Sequence, residues 1–335
     1  MMKITVINRK PNDGQFSIER VFKILKIGLE KSGIEVIDYK SPMLSKGIIR
    51  RIFNLTHALV KTDGIKHILG DVTYLALFLS NKRLIITFHD LYIYKSKNWF
   101  GKFIIGWLWY KIPLKKASIV TTISEFTRNE IIQYFKIERD RIHVVPNPIP
   151  IGFKENKRVE IDVSKKINIL HIGTKKNKNL LRVIKSLNAL VSKYSLQLNI
   201  VGPRPNYFNE DAKVNFDINY MGKLNESDLI KEYSKCDLVI FASTYEGFGL
   251  PIIEAQAIGR PVITSSIEPM SSIAGGAALL VNPYSINEIT LAVERIILDK
   301  KLTNSLVMQG LQNAKKYNVD VITSKYRAIY EKVND

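Results

Sequence analysis

Two carboxylates stand eight positions apart in "EGFGLPIIE", Glu246 and Glu254, with Gly247, Phe248, Gly249, Leu250 and Pro251 following the first. The apolar run "DLVIF" just before them reads as a buried strand, so the turn falls beyond a strand's carboxyl end. Gly247 and Gly249 let the main chain take conformations closed to other residues and let a ligand approach it closely. Pro251 suits a first helical turn, which sets the helix start near Leu250. The amides and dipole of such a start favour an anion such as a diphosphate. Glu246 then precedes the turn, and Glu254 lies about one turn inside the helix. The two would meet a ligand at different depths. A carboxylate accepts hydrogen bonds in pairs, which matches the vicinal hydroxyls of a sugar or a ribose. Taken singly, Glu254 also fits plain dipole complementarity and Glu246 a solvated loop. The whole constellation favours a ligand.

A second charged turn follows the strand "INILHI": "GTKKNKN", Gly173 to Asn179, a glycine turn opening a lysine-rich helix start. Lys178 alone reads as a surface lysine, a reading its neighbours weaken. In "RLIITFHD" His89 closes another strand, a position that serves either a site or packing. His143 and His171 read as strand packing. The single cysteine, Cys236, excludes a disulfide framework and a multi-cysteine metal site. No Asp-x-Asp occurs in the chain.

Short strands alternate with helical stretches along most of the 335 residues, which predicts parallel sheets covered by helices. The rhythm breaks at "PNPIPIGFKENKRVEIDVSK", which holds three prolines and a polar run. The chain therefore reads as two α/β domains of doubly wound, Rossmann-like type: residues 1–148, a linker at 149–165, and residues 166–317. Residues 318–335 are expected to form a C-terminal helix packing back on the first domain. Ligands of such sheets bind beyond the carboxyl ends of strands, so a cleft between facing domains is the expected site.

The net charge is +19, and it is uneven: residues 1–150 hold 25 Lys and Arg against 12 Asp and Glu. Such a field favours anionic partners, phosphorylated small molecules or an acidic membrane surface. A lysine-rich genome bias is the simpler source of part of it. No nucleic-acid recognition motif accompanies the charge. From Leu91 to Ser124 there is no acidic residue, while the stretch holds six lysines and the three tryptophans Trp99, Trp107 and Trp109. This segment reads either as a membrane-interface surface or as a core helix. The opening "MMKITVINRK" carries no signal-peptide pattern, and no apolar run is long enough to span a bilayer. A cytoplasmic protein, peripheral to the inner face of the membrane, is the expectation.

"EGFGLPIIEA" resembles the Glu-x7-Glu motif of retaining, GT-B-type nucleotide-sugar glycosyltransferases, the group 1 and family 4 enzymes. "TISEFTRNEI", "VVPNPI", "HIGTKKNKNLLRVIKSL", "GKLNESDLIKEYSKCDLVIFAS", "AIGRPVITS" and "GGAALLVNP" extend the likeness. It implies a hexosyltransferase that moves a sugar from an NDP-sugar to a glycan or lipid-linked acceptor, in polysaccharide or lipopolysaccharide assembly. Glu246 would lie by the transferred sugar and Glu254 would bind the donor ribose. The backbone of Gly247, Phe248, Gly249 and Leu250 would face sugar and diphosphate. Lys178 would bind the diphosphate beside Gly173 and Thr174. Many members have an arginine where this chain has Thr174, so Lys175 or Lys176 would supply that charge. Gly222, Lys223 and Leu224 match the turn that holds the base, and His89 the cleft histidine near the donor sugar. The first turn, with Gly14, Gln15 and Phe16, would meet phosphate or acceptor. Catalysis would fall to Glu246, Lys178 and His89, with no metal or other cofactor. An NDP-sugar epimerase or hydrolase of the same architecture, or a non-catalytic nucleotide- or glycan-binding relative, is the alternative.

Overall fold

The computed structural model describes residues 2–11, 17–156, 160–206 and 214–334. Gly14, Gln15 and Phe16 lie outside the described residues. The chain divides into two compact units, residues 1–148 with 318–335, and residues 149–317.

The first unit is built on a six-stranded sheet in the order β2-β1-β3-β4-β5-β6, every pair parallel. Its strands are β1 Lys3–Asn8, β2 Glu35–Lys40, β3 Ile65–Ile68, β4 Leu84–Phe88, β5 Ile119–Thr122 and β6 Ile142–Val144. Helices α1 Ser17–Lys31 and α2 Ile48–Lys61 make the first crossovers. After β4 come α3 Tyr92–Lys95 and α4 Trp99–Ile105, then a π-helical stretch Gly106–Lys111 and α5 Ile112–Lys116; α6 Glu125–Phe135 joins β5 to β6. Parallel strands are covered on both faces, and alternation sends their side chains to opposite cores. Ile4 and Val6 of β1 pack with α1 and the C-terminal helix, whereas Ile7 packs with Leu55, Tyr74 and Leu114 on the other face.

The second unit repeats the plan in the order β12-β11-β10-β7-β8-β9, again parallel throughout. Its elements are β7 Ile167–Ile172, α7 Leu180–Asn188, β8 Leu196–Val201, β9 Asp217–Tyr220, α8 Glu226–Lys235 and β10 Leu238–Phe241. They continue with α9 Leu250–Ile258, β11 Val262–Ser265, α10 Met270–Ala274, β12 Leu279–Val281, α11 Ile286–Leu298 and α12 Lys300–Lys315. Residues 149–165 differ from the expected linker. They belong to this unit, because Phe153 and Ile161 are buried and Phe153 meets Tyr233 edge-on with ring centroids 5.5 Å apart. The apolar residues dispersed among the prolines do this packing.

Helix α13, Val319–Asn334, belongs to the first unit and is fastened there by a buried polar chain. Tyr330 Oη lies 2.7 Å from His67 Nδ1 on β3, and His67 Nε2 lies 2.7 Å from Thr87 Oγ1 on β4. Thr87 in turn lies 2.6 Å from Thr121 of β5. Each buried polar atom of this chain is thereby satisfied inside an apolar core.

The tryptophan-rich segment is neither of the two alternatives throughout. Trp99 is 83% exposed and Trp107 47%, while Trp109 is 7% exposed. Trp109 is therefore a core residue and is withdrawn from the membrane candidates. It packs against Tyr74 with centroids 4.9 Å apart and carries the Arg51 guanidinium over its ring. Trp107 and Trp109, two positions apart, fall on opposite sides of the helix, and sequence spacing does not say which side is covered. Among the described residues no helix is long and apolar enough to cross a membrane.

Each unit buries a neutral histidine at its sheet centre. Burial holds the His67 imidazole down at about 3 and the His171 imidazole at about 4, both from an ordinary 6.5. The unfolded chain takes up protons below 6.5 that the folded chain refuses, so this stability is present above 6.5 and is lost as pH falls toward the folded values. By pH 4 each histidine is expected to cost on the order of 3 kcal/mol. Thermal unfolding followed by circular dichroism should show the midpoint dropping from pH 6.5 to 4, with a shallower slope for His67→Asn.

Candidate active site

In the second sheet β7 is the first strand in sequence yet lies between β10 and β8. The order in which the chain lays down strands reverses there, the type of position at which ligands of such sheets bind. Both charged turns singled out from the sequence sit at this point.

The β7 loop turns at Gly173, whose φ of +92° is open to glycine and strained for other residues. A side chain there would also collide with the Lys178 stem, which runs back over the glycine: a Cβ would lie 3.0 Å from Lys178 Cγ. A short 3-10 turn, Lys176–Lys178, then leads through Asn179 in the left-handed region (φ 63°) into α7. The buried Asn179 amide donates to Ala242 O at 2.9 Å and to Pro283 O at 2.6 Å, tying the start of α7 to the ends of β10 and β12.

The β10 loop meets it directly. Thr244 N donates to Asn177 O at 2.8 Å, and the Asn177 side-chain amide donates to Tyr245 O at 2.9 Å. Glu246 is therefore presented to the β7 loop. Its Oε1 accepts from Lys178 Nζ at 2.6 Å and from Asn177 Nδ2 at 3.2 Å. The ammonium of Lys178 also lies 4.7 Å from the Phe241 ring centroid. Only 19% of the Lys178 side chain and 15% of the Glu246 side chain reach solvent. An ion pair so little hydrated is electrostatically strong and is fixed in direction by its third partner, Asn177.

Beyond Glu246 the chain turns through Gly249, at φ +116°, which caps α9, and Pro251 occupies the first turn. Phe248 is buried and meets Tyr317 edge-on, so its ring anchors the turn. Glu254 lies deeper and is 2% exposed, with Tyr233 Oη of α8 donating to its Oε2 at 2.9 Å. Gly222 sits across an antiparallel bridge from Gly202 at the end of β8, and Gly202 lies close against Thr174. The turn of Gly222, Lys223 and Leu224 thus adjoins the β7 loop. Lys175 and Lys176 are exposed.

The arrangement can bind an elongated anion: a cationic Lys178 and the α9 start for phosphates, and two carboxylates at different depths for hydroxyl pairs. Among the described residues no three His, Cys, Asp or Glu side chains converge as metal ligands. Cys236 is buried, and burial pushes its thiol up to about 12, which leaves it an inert core residue.

His89 belongs to the first unit. Its Nε2 lies 2.5 Å from Leu69 O, and because a carbonyl only accepts, Nε2 carries the proton and Nδ1 keeps its lone pair. Burial lowers its affinity for a proton, so the ring is neutral near pH 7 and can accept one further hydrogen bond. Beside it, at the β1/β3 reversal of the first sheet, Arg9 pairs with Asp71 at 2.6 Å and with Glu19 at 2.8 Å.

Four contributors escape a reading of the sequence. Asn177, Asn179, Tyr233 and Arg9 act through partners distant along the chain. Only the asparagines leave a local signal, since both flank the lysine at a helix start.

The chain has relatives. Residues 39–153 match the family described as Glycosyltransferase Family 4, and residues 153–313 match Glycosyl transferases group 1. The chain is 24% identical over 262 residues to the O-antigen chain mannosyltransferase B of Escherichia coli, which takes in 73% of this chain and 69% of that protein. It is 28% identical over 206 residues to the O-antigen chain mannosyltransferase RfbU of Salmonella typhimurium, covering 59% of this chain and 56% of that protein. Among solved structures, Anabaena Alr3699/HepE in complex with UDP-glucose shares the fold with a TM-score of 0.77. The identity is 16%, over 99% of this chain and 100% of that one.

Tyr233→Phe removes a buried hydrogen bond to the Glu254 carboxylate. Urea unfolding is expected to show a loss on the order of 2 kcal/mol, in the range for hydrogen bonds to charged groups. An unchanged midpoint would mean that the tyrosine does not hold Glu254 in place.

Proposed function

The chain belongs to the glycosyltransferases of the GT-B fold, and from that premise we propose that it is a retaining enzyme with its donor site in the second unit. The donor is a nucleotide-diphosphate sugar. The acceptor is a glycan or a lipid-linked glycan, in the assembly of a cell-surface polysaccharide. The observation that carries this reading is the cluster of Lys178, Asn177 and Glu246 at the sheet's reversal point, directly before the α9 start. The names of the mannosyltransferase relatives support the setting, and the UDP-glucose held by a protein of the same fold supports the donor class.

In this reading the ribose hydroxyls bind Glu254, oriented by Tyr233, and the diphosphate lies against the α9 start. Glu246 faces the sugar. Lys178 now neutralises Glu246, and with donor bound it also meets the diphosphate, where negative charge builds as the C1–O bond to phosphate breaks. Donors aimed at developing charge in a dry site are the largest common contribution to catalysis. The acceptor hydroxyl gives its proton to an oxygen of the departing diphosphate while its oxygen bonds C1 on the same face. No second carboxylate is then needed as a nucleophile at glycosidase spacing. Lys178 and the helix start take the place of a metal cation, and no other cofactor takes part. His89, with Nδ1 free to accept, serves a sugar hydroxyl from the first unit. The same reading sets the chain in the cytoplasm with the exposed Trp99 and Trp107 segment against an anionic membrane surface, where a lipid-linked acceptor resides.

Lys178→Ala is expected to lower kcat by about a hundredfold to a thousandfold, the range for losing one oxyanion-type donor. Glu246→Gln should cut turnover, because the carboxylate facing the sugar is lost, while Lys178, freed of its partner, still meets the diphosphate. Both are read from release of nucleoside diphosphate with acceptor present. Undiminished transfer by Glu246→Gln would refute its role. The anomeric proton coupling of the product, set against that of the donor, decides retention: an inverted product contradicts the mechanism, whatever the variants do.

A further inference from the structure

In the run Gly247–Gly249 only Phe248 has a side chain, so its ring is what can anchor the turn between Glu246 and α9. The ring is 4% exposed and meets Tyr317 edge-on, with centroids 5.8 Å apart and planes at 80°. Such a pair is favoured because the positive edge of one ring faces the negative face of the other. Gly249 is closely packed too: a Cβ there would lie 3.0 Å from Ile252 Cδ1 and 3.8 Å from Met270 Cγ. The turn is therefore seated on its own helix, on α10 and on Tyr317.

Tyr317 also has a particular place along the chain. The second unit begins at Ile149 and ends at Tyr317, so the chain passes between units next to these two residues and nowhere else. The two are joined, Ile149 N donating to Tyr317 O at 2.8 Å, and both side chains are buried. Tyr317 N donates to Ala314 O at 3.0 Å, which ties it to the end of α12. At the next residue Asn318 O accepts from Ile322 N as α13 begins. The ring of one residue thus meets the turn while its main chain meets both crossings.

We infer that Tyr317 is a positioning residue: through Phe248 it fixes the direction of the turn amides and of Glu246, and it links the turn to the two crossings. The inference rests on the donor site proposed above, since it takes the turn to be where the nucleotide sugar lies. A diphosphate at the α9 start restrains the main chain on either side of Phe248. The Phe248 ring is buried against Tyr317, and close-packed interiors transmit a displacement instead of absorbing it. The restraint therefore reaches the Ile149 bond. Ring shape makes the contact, so Tyr317→Phe keeps it, whereas Tyr317→Leu fills the space without offering an edge or a face.

The test is hydrogen–deuterium exchange of the full chain, alone and with UDP or GDP, in the wild type, Tyr317→Leu, Tyr317→Phe and Phe248→Leu; circular dichroism melting confirms that each folds. Without nucleotide, Tyr317→Leu is expected to speed exchange in the turn about fivefold, the value of one lost aromatic contact, and Tyr317→Phe to restore it. Phe248→Leu should speed exchange of the Ile149 amide in the same way, and it decides the matter alone if Tyr317→Leu does not fold. An unmoved turn in Tyr317→Leu, or an unmoved Ile149 in Phe248→Leu, overturns the link. A nucleotide that protects the turn should also protect Ile149 in the wild type and not in Tyr317→Leu. Protection of the turn alone overturns the inference and leaves the donor reading standing; protection of the turn by neither nucleotide counts against the donor reading, and the comparison without nucleotide still decides the link. Release of nucleoside diphosphate from UDP-glucose or GDP-mannose should show kcat about tenfold lower in Tyr317→Leu and restored in Tyr317→Phe, as loss of orientation does. A lower melting temperature with unchanged kcat would mark a merely structural ring and overturn the positioning role.

Discussion

The site in the second unit depends on how the loop leaving β7 is fastened to the loop leaving β10. Asn177 does this with its main-chain carbonyl and its side-chain amide, and Asn179 does it again two residues later through Ala242 and Pro283. Lys178 stands between these two anchors, its stem laid over Gly173 and its ammonium on Glu246. A flexible lysine gains direction from such surroundings, because its neighbours cannot move independently of the strands they join. The site thus inherits the rigidity of the sheet centre, where parallel strands buried on both faces leave little freedom.

The two units share one architecture but load their reversal points differently. In the second, Lys178 is engaged by Glu246 directly before the α9 start, with Glu254 lying deeper. In the first, Arg9 is already engaged by Asp71 and Glu19, and the nearby His89 is a neutral acceptor.

Much of this was legible in the sequence because it rests on local rules. Alternating strands and helices follow from periodicity, and the α9 start at Leu250 follows from Gly249 and Pro251. Gly173, Lys178, Glu246 and Glu254 stand out by type and spacing. What sequence does not display is pairing across the fold. Nothing near Glu254 announces Tyr233, and nothing near Lys178 announces that Glu246 will be its partner 68 positions away. Residues 149–165 look like a linker by composition, yet Phe153 and Ile161 find a core to enter. Trp109 and Trp107 differ by two positions and point to opposite environments, as residues two apart on a helix do, and the sequence does not say which of them is covered.

A structure of the chain with an intact NDP-sugar tests the central claim most directly. The account requires the diphosphate between Lys178 Nζ and the α9 start, the ribose at Glu254, and the sugar beside Glu246, with the Asn177 bonds to the β10 loop retained. A donor seated away from the 173–179 and 246–254 loops, or a Lys178 that makes no contact with its phosphates, would contradict it.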